Sequence, residues 1–300
     1  MIQIYTDETI NKREQIKSKK ISNYKQMKIK KKYSYTDGNQ VWRIKLTDTE
    51  KIIVETRNTE KKESFFHCLN LVNGKPIFTN QQMDEKYWLG IETIYNDVIL
   101  FHKFAKPDMP GHKGIFAFDI NTQKTLWDNE TYAFLFILEG RIYAYQERFE
   151  GRRYFTLNIE TGEFVKDLGE NLTNISNLKD LADAELDYSD YKFPEFYYGS
   201  SSNPVIDELI NSETEKLSIT GSIEFAQYGN FLLFNYHSKS KNKGLTNSLV
   251  VFNLIKRKLI LKDILNVNLN AFAPDSFFIY NNLLVLMKEK TRVIVYELSE

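Results

Sequence analysis

Hydrophobic and polar positions alternate along most of this chain in short runs of strand length, separated by Gly, Asn and Asp. Two turn types recur. In the first, a polar pair or triplet precedes a short apolar run: Tyr95-Asn96-Asp97 before Val98 to Phe101, Glu139-Gly140-Arg141 before Ile142 to Tyr145, Tyr228-Gly229-Asn230 before Phe231 to Phe234, and Tyr280-Asn281-Asn282 before Leu283 to Leu286. Gly, Asn and Asp tolerate the positive φ that tight hairpins require. In the second, a strand, a polar turn and another strand form a repeated phrase. It runs Cys68-Leu69-Asn70-Leu71-Val72-Asn73-Gly74-Lys75-Pro76-Ile77-Phe78 and returns from Ala117 to Trp127, Thr156 to Val165 and Val251 to Ile260.

The two turns together imply four strands per unit. From Asn96 to Gly140 is 44 residues, from Gly140 to Asn230 is 90, and from Asn230 to Asn282 is 52. Four-stranded units of about 40–50 residues are the signature of a β-propeller. The expected fold is therefore all-β: a single propeller of four-stranded antiparallel blades at 41–80, 88–129, 132–168, 219–263 and 269–300. The last unit shows three strands, and Lys31 to Thr36 is expected to add the fourth and close the ring. Residues 170–218 read either as a degenerate sixth blade or as a helical insertion. Between Glu160 and Glu215 fourteen Asp/Glu stand against three Lys. Asn203-Pro204 starts a capped helix, with acids in its first turn, and Lys192 to Tyr198 is aromatic and strand-like.

Residues 1–26 lack this grammar. Met1 to Lys32 holds ten Lys/Arg and three Asp/Glu. The segment reads as a basic disordered arm, as a weak helix over Glu8 to Ser22, or as sequence upstream of a natural start at Met27; the propeller domain spans 27–300.

The repeated phrase resembles blades of the pyrroloquinoline-quinone (PQQ)-type propeller, roughly aliphatic-D-x-x-T-G-K-x-x-W. Ala117 to Trp127 is the closest copy, with Gln123 where Gly is usual. The span from Met27 to Glu300, with Val41-Trp42-Arg43-Ile44 and Phe193-Pro194-Glu195-Phe196-Tyr197-Tyr198, is also similar to an uncharacterised bacterial (Bacteroidetes-type) family of propeller-like proteins. The resemblance implies a fold and no activity. The quinone enzymes use an adjacent cysteine pair and a calcium bound by acidic and amide side chains; this chain has one cysteine, so no cofactor is expected.

Composition narrows the chemistry. Forty basic and forty acidic residues cancel, which argues against a general polyanion binder. Cys68 reads as a small apolar strand residue, and no disulfide framework exists. No signal peptide and no run of about 18 apolar residues is found, so a cytoplasmic protein without membrane contact is expected, most simply a monomer. The four histidines, His67, His102, His112 and His237, lack helix-type metal spacing, and no metal is expected. Phosphate loops and nucleophile elbows are missing. Ser200-Ser201-Ser202 reads as a loop entering a helix cap, and Asp183, Glu185, Asp187 and Asp190 as a solvated acidic loop.

One pattern remains. The loops between second and third strands carry fifteen bases, Arg57, Lys61, Lys62 and Lys288 among them, against six acids. The candidate ligand-binding residues are Lys103, Lys106, His112, Lys113, Arg148, Arg152, Arg153, His237, Lys239, Lys241 and Lys243, with His112 expected at the tip of the Lys106–Lys113 loop. Such a face attracts anions. The leading expectation is a non-catalytic scaffold that binds an acidic protein or anionic ligand. Nucleic acid is disfavoured because the bases lack interleaved aromatics. The alternative is a hydrolase or lyase acting on an anionic sugar at the central channel mouth, with His102, His112 and His237 beside carboxylates. A deep pocket holding a His–carboxylate pair would favour the enzyme; a charged rim would favour the scaffold.

Overall fold

The computed structural model describes residues 27–106, 109–239 and 244–300. Its strands form five separate antiparallel sheets. The strands run β1 to β22 in chain order. β1 is Lys28–Tyr35; β2 Gln40–Leu46, β3 Lys51–Asn58, β4 Glu63–Asn70 and β5 Pro76–Gln81. β6 is Leu89–Tyr95, β7 Val98–Lys106, β8 Met109–Asp119 and β9 Lys124–Asn129. β10 is Ala133–Leu138, β11 Arg141–Arg148, β12 Gly151–Asn158 and β13 Phe164–Gly169. After helix α1 (Leu172–Glu185) come β14 (Tyr191–Lys192), β15 (Glu195–Tyr197) and helix α2 (Pro204–Thr214). The chain ends with β16 Ile223–Tyr228, β17 Phe231–Lys239, β18 Leu245–Asn253, β19 Lys258–Leu269, β20 Phe277–Tyr280, β21 Leu283–Lys288 and β22 Arg292–Ser299. Sheet I is thus β2-β3-β4-β5, sheet II β6-β7-β8-β9, sheet III β10-β11-β12-β13, sheet IV β15-β16-β17-β18-β19 and sheet V β14-β20-β21-β22-β1.

The turn residues behave as their chemistry requires. Asn96, Asp97, Glu139, Gly140, Gly229 and Asn281 all have positive φ, and so do Gly74, Gln123, Gly162 and Arg257 in the repeated phrase. β1 pairs with β22 from Lys28↔Ser299 to Tyr35↔Val293, so the two ends of the described chain share one sheet.

The sheets stack face to face. Ile53, Phe66 and Cys68 of sheet I meet Leu89, Ile99 and Phe101 of sheet II, while Ile52, Val54 and Leu69 on the other face meet Val285, Val293 and Val295 of sheet V. Sheet V packs on sheet IV, and sheet II on sheet III. The second strands of sheets I, II, IV and V are buried on both faces, which explains their unbroken apolar runs, whereas in β11 only alternate residues are buried. The order III, II, I, V, IV leaves two outer faces, and each is covered by a helix. Ile175 and Ala182 of α1 lie against Phe136, Leu138 and Tyr154; Ile206, Leu209 and Ile210 of α2 lie against Leu232, Phe234 and Val250.

Residues 170–218 therefore do not make a sixth sheet. They supply two helices, and β14 and β15 extend the edges of sheets V and IV. Asn203 caps α2 as expected, its side chain accepting from Val205 N at 3.0 Å ahead of Pro204. α1 is an unexpected element: Asp183 and Glu185 sit in its last turn rather than in a loop, and Asp183 pairs with Lys179 at 2.5 Å. Ile175, Leu178 and Ala182 line its inner face, but Leu172 and Leu181 are apolar and exposed, so the amphipathic stripe is weakly marked in the sequence. No helix among the described residues is long and apolar enough to cross a membrane.

Candidate functional site

The hairpins joining second to third strands carry the predicted basic residues, and the structure divides them into two groups. The first is neutralised within the chain. Lys103 reaches Asp128 at 3.1 Å and Glu130 at 2.9 Å. Arg152 pairs with Glu147 at 3.0 Å and lies over the Tyr145 ring; Arg153 pairs with Asp167 at 2.6 Å. Lys288 pairs with Asp263 at 2.6 Å. Arg57, counted among the loop bases, is buried: it pairs with Glu55 at 2.7 Å and donates to the Leu89 carbonyl at 2.6 Å. The second group is exposed and has no carboxylate partner among the described residues. It includes Lys61, Lys62, Lys113, Arg148 and Lys239. Lys241, Lys243 and the side chain of Lys106 lie outside the described residues.

His237 does not join this rim. It is fully buried on β17, its Nε2 accepts from Ala273 N at 3.4 Å, and its ring packs on Phe272. Burial pulls its pKa below the ordinary imidazole value. His67 is also buried, with Tyr35 Oη 2.6 Å from Nδ1 and with Thr56 Oγ1 and Asp37 Oδ2 at 2.9 Å and 3.2 Å from Nε2. Cys68 is an inert core thiol, pushed up to about 12 by burial.

His102 and His112 do come together. β8 begins at Met109, so His112 lies within a strand opposite Phe104 rather than at a loop tip. Its ring stacks on His102, 3.5 Å between centroids and 8° from parallel. Glu92 on β6 completes the group at a bulge where pairing shifts between Ile91 and Thr93. Glu92 Oε1 is 3.0 Å from His102 Nδ1 and 2.7 Å from His112 Nδ1. Burial pushes the Glu92 carboxyl up, but the two imidazoles more than offset it and hold it below the usual carboxylate value. Phe104 meets both imidazoles edge-on. Gly90 is required opposite His102, because a Cβ there would lie 2.9 Å from His102 Cε1. Sequence spacing missed this group: residues 102 and 112 meet only through hairpin register, and Glu92 only through a bulge.

One concavity, about 770 Å³, is lined by Ser189–Lys192, Gln227–Gly229, Asn281 and Asn282. A second, about 360 Å³, lies between β2, β6 and the aromatic side chains of Tyr188, Tyr191, Phe193 and Phe278. Glu92, His102 and His112 line neither.

The family described as a domain of unknown function (DUF4905) matches residues 46–127, the part of the chain that holds β3 to β8 and the Glu92–His102–His112 group. No curated protein matches. Among solved structures, an uncharacterised protein of Listeria monocytogenes EGD-e aligns over 86% of this chain and 96% of its own at 11% identity, with a TM-score of 0.32. A likeness that remote carries no argument about fold or function.

Proposed function

We propose that this chain is a cytoplasmic, non-catalytic binding module. In this reading its five sheets form a single propeller-type ring, and residues 170–218 occupy the place of a sixth blade between sheets III and IV. The second-to-third-strand hairpins recognise an acidic protein through their exposed bases. The observation that carries the reading is Phe149. It stands at the tip of the β11–β12 hairpin, 105% exposed, between Arg148 and Glu150 and close in sequence to Arg152. A bare phenyl ring at a hairpin tip gains nothing for the fold, and aromatic and Arg side chains are the common anchors of protein interfaces. The catalytic alternative is less well supported, because the His–carboxylate group and the two concavities described above do not coincide.

The test is capture from native lysate at low and high salt with the wild-type chain and an R148E/F149A/K113E variant. All three residues are exposed, so thermal stability should not change. The reading expects an acidic protein held at low salt, released at high salt and lost in the variant. Equal capture by wild type and variant would overturn it.

A further inference from the structure

His102 is the anomaly of sheet II. It is 2% exposed, and neither ring nitrogen makes a hydrogen bond. Its Nδ1 approaches Glu92 Oε1 at 3.0 Å but out of line for hydrogen bonding. Buried polar atoms without partners are uncommon and call for a physical reason. The reason lies beside it: donor atoms of Glu92, His102 and His112 all fall within 4.8 Å of one another. We infer that these three side chains form a binding site for a divalent transition-metal ion of the zinc class.

The donor set selects the ion. Two imidazole nitrogens and one carboxylate suit zinc and its neighbours, whereas calcium and magnesium favour all-oxygen shells. An ion about 2.0–2.2 Å from each ligand holds tetrahedral donors roughly 3.4 Å apart. The present contacts of 2.7 Å and 3.0 Å must therefore open by less than about 1 Å. His112 can supply the movement because its side chain is exposed, while Gly90 and Phe104 seat His102. Exposure at His112 also leaves a coordination position open to water. The nearby bases are engaged elsewhere: Arg43 donates to the Ile91 carbonyl, and Lys103 pairs with Asp128 and Glu130. A bound ion would tie β8 to β6 and β7 at the base of the hairpin that presents Lys113. It would stiffen a binding surface, and it stands independently of the partner proposed above.

The untagged full chain should be titrated with Zn²⁺ by calorimetry and with Co²⁺ by visible absorption. One ion per chain is expected. H112A and E92Q should each weaken Zn²⁺ binding at least about tenfold with unchanged circular dichroism, and K124A, at an exposed position of sheet II, should bind as wild type does. Absence of saturable binding by the wild-type chain would overturn the inference, as would affinities within about twofold of wild type in both H112A and E92Q.

Discussion

The indole of Trp127 lies flat against Gly162: a Cβ on that glycine would stand 2.4 Å from Trp127 Cε3. Trp127 belongs to the outer strand of sheet II and Gly162 to the last turn of sheet III, so the pair joins two sheets. Trp127 Nε1 donates to the Ile159 carbonyl at 3.1 Å, and Asn129 Nδ2 to the Gly162 carbonyl at 2.9 Å. Tyr33 repeats the arrangement between sheets V and I, where a Cβ on Gly74 would come 2.3 Å from its ring and its hydroxyl donates to the Leu71 carbonyl at 2.9 Å. Gly162→Ala should destabilise by about 2–4 kcal/mol, from left-handed backbone strain plus displacement of the indole. Trp127→Ala should cost about 2–3 kcal/mol, less than a fully buried Trp. Because the clash at position 162 and the packing lost at position 127 involve the same indole, the double variant should be less than additive in a denaturation cycle. Strict additivity would show that the two residues do not act together.

Gln123 makes the complementary case. It occupies the equivalent turn position with φ of 57° but is exposed and meets no aromatic staple. Left-handed backbone costs a non-glycine residue about 1–2 kcal/mol, and glycine loses part of that advantage through unfolded-state entropy. Gln123→Gly should therefore stabilise by about 0.5–1 kcal/mol, measured as a rise in denaturation midpoint at unchanged slope.

Arg57 ties sheet I to sheet II from inside the core. Its guanidinium pairs with the fully buried Glu55, donates to the Leu89 carbonyl and lies 4.7 Å over the Trp42 ring. Arg57→Met leaves the buried Glu55 carboxyl without its partner, at a cost of about 3–5 kcal/mol. Glu55→Gln added to that variant should recover much of the loss. If the second change restored nothing, the ion pair would not be the source of the effect.

These residues also mark where the sequence was legible. Turns announced themselves because positive φ restricts residue choice, so the strands and the five sheets followed from Gly, Asn and Asp. Helix α1 did not, since only Ile175, Leu178 and Ala182 meet the core while Leu172, Leu181 and Leu186 stay exposed, which blurs the apolar stripe. Loop composition overstates the basic face, because the carboxylates that neutralise it sit on other strands. Asp128, Asp167 and Asp263 lie on fourth strands, outside those loops, yet pair with Lys103, Arg153 and Lys288. Arg57 and His237 looked like rim residues, but the strands that carry them bury their side chains. Cross-strand register decides which side chains meet, and periodicity alone does not contain it.

Glu224 sets the last expectation. It is 2% exposed; Oε1 accepts from Asp275 N at 3.0 Å and Oε2 has no partner. Burial raises its pKa above the ordinary carboxylate value, against the weaker opposing effect of its hydrogen bonds. In the unfolded chain a glutamate titrates near about 4.3. Between that pH and the raised folded value, the folded state holds the proton more tightly, so stability falls as pH rises. Below about 4.3 both states are protonated and the penalty vanishes. Glu224→Gln keeps the acceptor for Asp275 N and cannot ionise. Its stability relative to wild type should therefore be lowest near pH 4 and increase with pH, levelling off above the folded pKa of Glu224. Urea denaturation of both proteins from pH 4 to 8 reads this difference directly, and a gap independent of pH would mean that Glu224 does not titrate differently on folding.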